Sequence, residues 1–223
     1  AKARNVQIIQ GLATFDSPTQ LSITSENSQQ TLTFENCIIG AGSVAAGIPG
    51  FPIDHPRIIN STGALKLENI PKRLLVIGGG YIGLEMSSVY NALGSQVTVV
   101  EFMPNLLPGA DEDLVKPLAS KLKKSFENIY LSTKVSKVEP TNDEVSVHFE
   151  GTDGKEFSEI FDTVLVSVGR KPNTENLGLE NAGITLADKE FIPVNMKRQT
   201  IVSNIYAIGD ITGDPMLAHK ATH

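Results

Sequence analysis

Cysteine is nearly missing from this chain, aromatic residues are sparse at 6%, and cationic residues are outnumbered, 19 Lys and Arg against 25 Asp and Glu. The single cysteine, Cys37, excludes an internal disulfide and any cysteine-based metal cluster, and it fits a reducing compartment. A formal net charge of -6 argues against nucleic acid or an anionic membrane surface as a general partner. No apolar run approaches the roughly 20 residues that span a bilayer, so no membrane partner is expected. Behind Ala1-Lys2-Ala3-Arg4-Asn5 there is no apolar core of a signal peptide. A cytoplasmic location is expected. What remains is an ordinary globular composition, 40% hydrophobic over 223 residues, enough for one large domain or two modest ones.

Against that plain background one stretch stands out. Leu74-Leu75-Val76-Ile77 reads as a buried parallel strand and runs directly into Gly78-Gly79-Gly80-Tyr81-Ile82-Gly83. An amphipathic helix is predicted over about 81–93, stopped by Gly94, and a second apolar strand, Val97-Thr98-Val99-Val100, ends on Glu101. This is the layout of a dinucleotide-binding βαβ unit. Gly78 permits the tight turn, Gly80 lets a pyrophosphate approach the backbone, and Gly83 lets helix and strand pack closely. The helix N-terminus offers free N–H groups and a positive dipole end to the phosphates. Glu101, roughly 20 residues on, can accept hydrogen bonds from the adenine-ribose hydroxyls.

The same acid selects the cofactor. A 2′-phosphate beside Glu101 would set two anions against each other, and Phe102, Met103 and Pro104 stand where an NADP site would want an Arg. No basic residue follows until Lys116. NAD is therefore expected rather than NADP.

Around this unit the pattern is rich in strands. Residues 6–12, 21–24 and 31–39 are predicted strands separated by Asp16-Ser17-Pro18 and Glu26-Asn27-Ser28 turns. Gly40-Ala41-Gly42-Ser43 imitates a second glycine fingerprint, but Pro49-Gly50-Phe51-Pro52 cannot continue as the required helix. A short helix over 61–67 with Ser61 as its cap is predicted, then a linker at Asn69-Ile70-Pro71-Lys72. Asp111, Glu112 and Asp113 open a helix over 111–126, and acids at a helix N-terminus explain them better than a metal site. Strands over 135–139, 145–150 and 156–161 form a β-meander that feeds a strand over 163–168, and a last short strand is expected over 205–208. The expected fold class is α/β: a Rossmann-like NAD-binding domain, with parallel sheet plus β-meander, inserted in a second α/β domain whose two ends are seen here. The boundaries read as 1–69, 70–171 and 172–223, with the middle segment as the NAD-binding domain.

Several motifs together are similar to the flavin-dependent pyridine-nucleotide disulfide oxidoreductases. They are Gly78 through Glu85, Val168-Gly169-Arg170-Lys171-Pro172-Asn173, and Asn204-Ile205-Tyr206-Ala207-Ile208-Gly209-Asp210. Asn60-Ser61-Thr62-Gly63, Val99-Val100-Glu101-Phe102, Asn176-Leu177-Gly178-Leu179 and Met216-Leu217-Ala218-His219-Lys220-Ala221 point to the branch that oxidises dihydrolipoamide on a lipoyl-carrying protein. The resemblance covers essentially the whole chain. It implies that NAD meets Gly78, Gly79, Gly80, Tyr81, Ile82, Gly83, Leu84, Glu85, Glu101, Val135 and Gly169. It implies that FAD meets Ala13, Ala41, Gly42, Ser43, Asp210, Met216, Leu217, Ala218 and His219. A helix opened by Asp214 and Pro215 would aim its N–H groups at the flavin. For His219 a packed polar side chain is preferred to a catalytic role.

The resemblance also implies electron flow from dihydrolipoamide through a disulfide and FAD to NAD+, in a homodimer attached to a 2-oxo acid dehydrogenase complex. The family's own FAD fingerprint, its redox-active cysteine pair and its His-Glu acid/base pair find no counterpart in these residues, so no catalytic residue is expected within them. The chain reads as a central piece of such an enzyme, itself binding NAD. A different disulfide or peroxide substrate, or a non-catalytic NAD(H)-binding module, are the alternatives.

Overall fold

The computed structural model describes residues 2–222. The chain divides into two compact units: Ala1–Val44 with Lys171–His223, and Ala45–Arg170. A continuous unit is thus inserted into a discontinuous one, and the α/β class expected from sequence is what forms. Among the described residues no helix is long and apolar enough to cross a membrane.

The discontinuous unit opens with an antiparallel meander of β1 (Leu12–Ser17), β2 (Gln20–Ser25) and β3 (Ser28–Thr33). Residues 6–10, expected as strand, are not in a ladder; the first strand starts only after Gly11, where an added Cβ would lie 2.8 Å from the Thr24 carbonyl oxygen. The strand expected over 31–39 is two pieces, β3 and β4 (Cys37–Ile39). The chain leaves this unit within β5 (Ser43–Ala45), which is extended backbone and not the start of a helix, as the prolines downstream required.

In the inserted unit, β6 (Ile58–Asn60) leads into α1 (Ser61–Leu65). The cap of this helix is Asn60, one residue earlier than expected: its side chain accepts from the Gly63 N–H at 3.0 Å. Next come β7 (Arg73–Ile77), α2 (Tyr81–Ala92), β8 (Gln96–Val100), α3 (Glu112–Ser125) and β9 (Asn128–Tyr130). The meander of β10 (Thr133–Pro140), β11 (Val145–Gly151) and β12 (Glu156–Phe161) follows, then β13 (Thr163–Val166). The parallel sheet has the order β6-β13-β7-β8-β9, with Leu74 opposite Val97 and Leu75 opposite Val164. Residues 45–69, read from sequence with the flanking domain, supply β6 and α1 to this unit.

Because a parallel strand is covered on both faces, its apolar residues run without alternation and still sort by period two. Leu74, Val76, Val97 and Val99 face the helices, packing with Leu84, Tyr90, Val115 and Leu122. Leu75, Ile77, Val164 and Val166 face the meander, packing with Val145, Val147, Phe149 and Phe161. The apolar stripe of α3, Val115-Leu118-Ala119-Leu122-Phe126, has helical spacing and lands on the first of these faces. Tyr90 is 2% exposed, and its hydroxyl donates to the Ala64 carbonyl at 2.8 Å, which satisfies the one polar atom that burial would otherwise penalise.

The chain returns through β14 (Arg170–Pro172) to the first unit, where β15 (Ile205–Ala207) pairs in parallel with β4. Phe15, Ile39, Leu179, Ile192, Ile205 and Ile211 form its core. Two segments far apart in sequence therefore build one hydrophobic cluster.

Candidate functional site: a cavity at the strand ends

A cavity of about 510 Å³ opens where β7, β8 and β13 end at their carboxyl edges. In open α/β sheets this edge is where ligands bind. Its walls include Gly78, Gly80, Tyr81, Ile82, Glu101, Val135 and Gly169, seven of the residues the sequence points to, although they come from four separate segments. Gly79, Gly83 and Leu84 are buried beneath, and Glu85 is exposed on α2 outside the wall.

The glycines do different physical work. Gly78 has a positive φ of 110°, and a Cβ there would lie 2.4 Å from the Ser167 carbonyl oxygen. A Cβ at Gly83 would lie 2.1 Å from the Gly78 carbonyl oxygen and 2.7 Å from Ser167 Oγ, so helix and strand pack on bare backbone there. Around Gly80 the same test meets no atom within 4 Å: the space above it is open to the cavity. Gly80 is also the N-cap of α2 and brings no side chain to cap it, so the N–H groups of the helix's first turn remain available to an anion.

Glu101 is 9% exposed and sits at the end of β8. One carboxylate oxygen accepts from the Gly79 N–H at 2.6 Å and the other from the Met103 N–H at 2.7 Å. An acid is thereby fixed in the cavity wall in its acceptor role. Ser167, which sequence reasoning passed over, lines the same wall and donates from Oγ to the Ile77 carbonyl at 3.0 Å.

Lys134 was also missed. It lies on β10, remote in sequence from Glu101, yet it lines the same cavity, because the Thr133 N–H donates to the Glu101 carbonyl at 3.1 Å and brings β10 to the end of β8. Its ammonium is paired with Glu150 at 3.2 Å. Reading forward from Glu101 could not find it; the β-meander pairing is the signal that places it.

The residues expected to meet FAD lie in the discontinuous unit. Ser43 Oγ donates to an Asp210 carboxylate oxygen at 2.5 Å, joining two segments 167 residues apart. Gly42 has φ 70° with nothing within 4 Å of an added Cβ, and its carbonyl accepts from the Asn173 N–H at 3.0 Å. Ala13 is exposed on β1. The helix expected to begin at Met216 is instead a short 3-10 turn over Ala218–Thr222, with Met216 half-buried and Leu217, Ala218 and His219 exposed. Residues 214–217 are thus not helical, and Lys220 donates from Nζ to the Gly213 carbonyl across them.

The family model for pyridine nucleotide-disulphide oxidoreductases matches residues 2–223, and the chain belongs to that family. More particularly, it is 46% identical over its whole length to a dihydrolipoyl dehydrogenase of Haemophilus influenzae, covering 46% of that protein. It is 43% identical to one of Vibrio cholerae and 41% to one of Bacillus subtilis, again over the whole chain and 47% of each relative. Among solved structures, the HOCl-induced flavoprotein disulfide reductase RclA of Escherichia coli, as its Cu(II) complex, superimposes with a TM-score of 0.90 at 30% identity, over 98% of this chain and 48% of that one. The chain spans about half the length of the curated relatives it matches.

Proposed function

We propose that the inserted unit binds NAD(H) in the cavity at its strand ends and that the whole protein is a dihydrolipoyl dehydrogenase. The observation that carries the reading is the combination in one cavity of the open Gly80 backbone, the uncapped start of α2 and the buried acceptor Glu101. The pyrophosphate lies along Gly78–Gly80 and the first turn of α2. The adenosine ribose reaches Glu101, the adenine borders Val135, and the nicotinamide end passes Gly169 and Tyr81. Leu84 and Gly83 hold the helix to the sheet, and Ile82 and Glu85 complete its first turns.

FAD is the second cofactor, held in the discontinuous unit by the backbone of Ala41–Ser43, by Asp210, by Ala13 and by Met216 to His219. The open backbone at Gly42 and the anchored Asp210 carboxylate fit that role. When bound, FAD supplies a two-electron relay between the dithiol substrate and the nicotinamide. The residues of this chain bind and orient; none of them is assigned the thiol or acid/base chemistry. A lipoyl-carrying protein of a 2-oxo acid dehydrogenase complex is the substrate partner, and the working form is a homodimer in the cytoplasm, or in the mitochondrial matrix of a eukaryote. The likeness to RclA favours, as second reading, a disulfide reductase with another substrate.

Titration calorimetry tests the cofactor assignment: NADH binds and NADPH binds at least tenfold more weakly. Equal affinities refute it. Steady-state assay of the full-length polypeptide with dihydrolipoamide and NAD+ tests the activity, and turnover with other dithiols but not dihydrolipoamide selects the second reading.

A further inference from the structure

We infer that Glu101 is a positioning residue for the phosphate-binding turn, in addition to any contact it makes with a ribose. This rests on the NAD(H) reading of the cavity. The peptide groups of Gly79, at the middle of the turn, are held at both ends by the segment that follows β8. The Gly79 N–H donates to one Glu101 carboxylate oxygen at 2.6 Å, and the Gly79 carbonyl accepts from the Leu107 N–H at 2.9 Å. The second carboxylate oxygen accepts from the Met103 N–H at 2.7 Å, so the same side chain fixes the start of the loop that carries Leu107. Packing closes the clamp: Leu106 is 2% exposed, and its Cδ2 lies 2.8 Å from where a Cβ at Gly79 would be.

A carboxylate is the group this geometry demands. Both oxygens face backbone donors, and both must accept. Glutamine keeps the length but presents one NH2, which would meet either the Gly79 or the Met103 N–H donor to donor. Aspartate keeps the charge but lacks the reach to hold both. Each loses one of the two backbone hydrogen bonds that tie Gly79 to Met103, and the turn loses part of the restraint that aims its backbone at the phosphates. The adenosine end and the phosphate end of the cavity are thereby coupled through one side chain.

The discriminating probe is reduced nicotinamide mononucleotide, which has the nicotinamide and a phosphate but no adenosine ribose for Glu101 to read. In Glu101→Gln and Glu101→Asp chains, both NADH and the mononucleotide weaken, the latter by about fivefold to tenfold, the scale of an unmade buried hydrogen bond. Loss confined to NADH, with the mononucleotide unchanged, overturns the proposal while leaving the NAD(H) reading intact. Failure of the unsubstituted chain to bind NADH at all overturns that reading instead. A measurement without any substitution guards against variants that do not fold: in the nucleotide-free chain the Gly79 amide exchanges slowly with solvent, as a hydrogen-bonded group must. Fast exchange at Gly79, on a par with the N–H groups of Tyr81 and Ile82, also overturns the proposal.

Discussion

Replacing Gly80 with alanine separates folding from binding at a single methyl group. Gly80 has φ -77° and ψ 178°, a conformation open to any residue, and no atom lies within 4 Å of the added Cβ. Alanine there loses the mild N-cap preference of glycine but also narrows the unfolded ensemble, a gain of about 0.4–1 kcal/mol, so the net change in stability is about zero. The methyl projects into the cavity at the start of α2, where the proposed cofactor phosphates come closest to backbone. Displacing them sacrifices a charge-assisted hydrogen bond, about 1.5–3 kcal/mol, or roughly tenfold or more in affinity. Gly83→Ala is the counter-example. Its methyl would sit 2.1 Å from the Gly78 carbonyl oxygen and 2.7 Å from Ser167 Oγ, so strand and helix must separate. Overpacking of that kind costs about 1–3 kcal/mol or more. Urea denaturation gives the stabilities, and NADH fluorescence gives the affinities in a chain with no tryptophan to interfere. A Gly80→Ala chain that binds NADH as tightly as its parent refutes the placement of the phosphates. A Gly83→Ala chain of unchanged stability refutes the close-packing account.

Two further outcomes are expected. Burial, with the hydrogen bond and negative charge of Glu159, pushes the Tyr130 hydroxyl up to about 12, and burial also raises Tyr90. The folded state thus holds the Tyr130 proton more tightly than the unfolded one, and its contribution to stability is whole below about pH 10 and fades as pH climbs toward 12. Ultraviolet titration shows late-ionising tyrosines, and Tyr130→Phe removes one of them; ionisation of all four tyrosines near pH 10 contradicts this. Glu150→Gln frees Lys134, a cation on the cavity wall, and narrows the preference for NADH over NADPH by about twofold to fourfold, the modest scale of an exposed pair. An unchanged ratio means that Lys134 does not reach the 2′ position.

Much of the inserted unit was legible because its signals are local. A strand, a glycine turn, a helix and a strand follow one another within about 30 residues, and the burial of Leu74–Ile77 and Val97–Val100 on both faces leaves continuous apolar runs. The limits of α2 and β11 come from the same local cues: Gly94, with φ 104°, ends the one, and alternation sets the other. What was not legible is non-local. Residues 6–10 have the composition of a strand, but a strand needs a partner, and the ladder begins only at Leu12. Asn60 and Ser61 are both good caps, and only the side chain's reach to Gly63 decides between them. The segment after Asp214 carries helix signals, yet its first turns stay irregular until Ala218.

The cavity shows where such reading gains and loses. Selectivity for NAD was argued from Glu101 and from the absence of a basic neighbour in the residues after it. In three dimensions a lysine does stand on the wall, delivered by a hydrogen bond between β10 and the end of β8. The proposed selectivity rests on electrostatic grounds and not on sequence adjacency. Glu101 is buried, with both oxygens already accepting from backbone, so it cannot turn away from an incoming phosphate. Lys134 is exposed, screened by water and paired with Glu150. A fixed, desolvated anion outweighs a mobile, neutralised cation at the same surface, because the Coulomb energy of each scales inversely with the dielectric around it. The proposed preference for the cofactor without a 2′-phosphate then rests on which of the two charges is free to move.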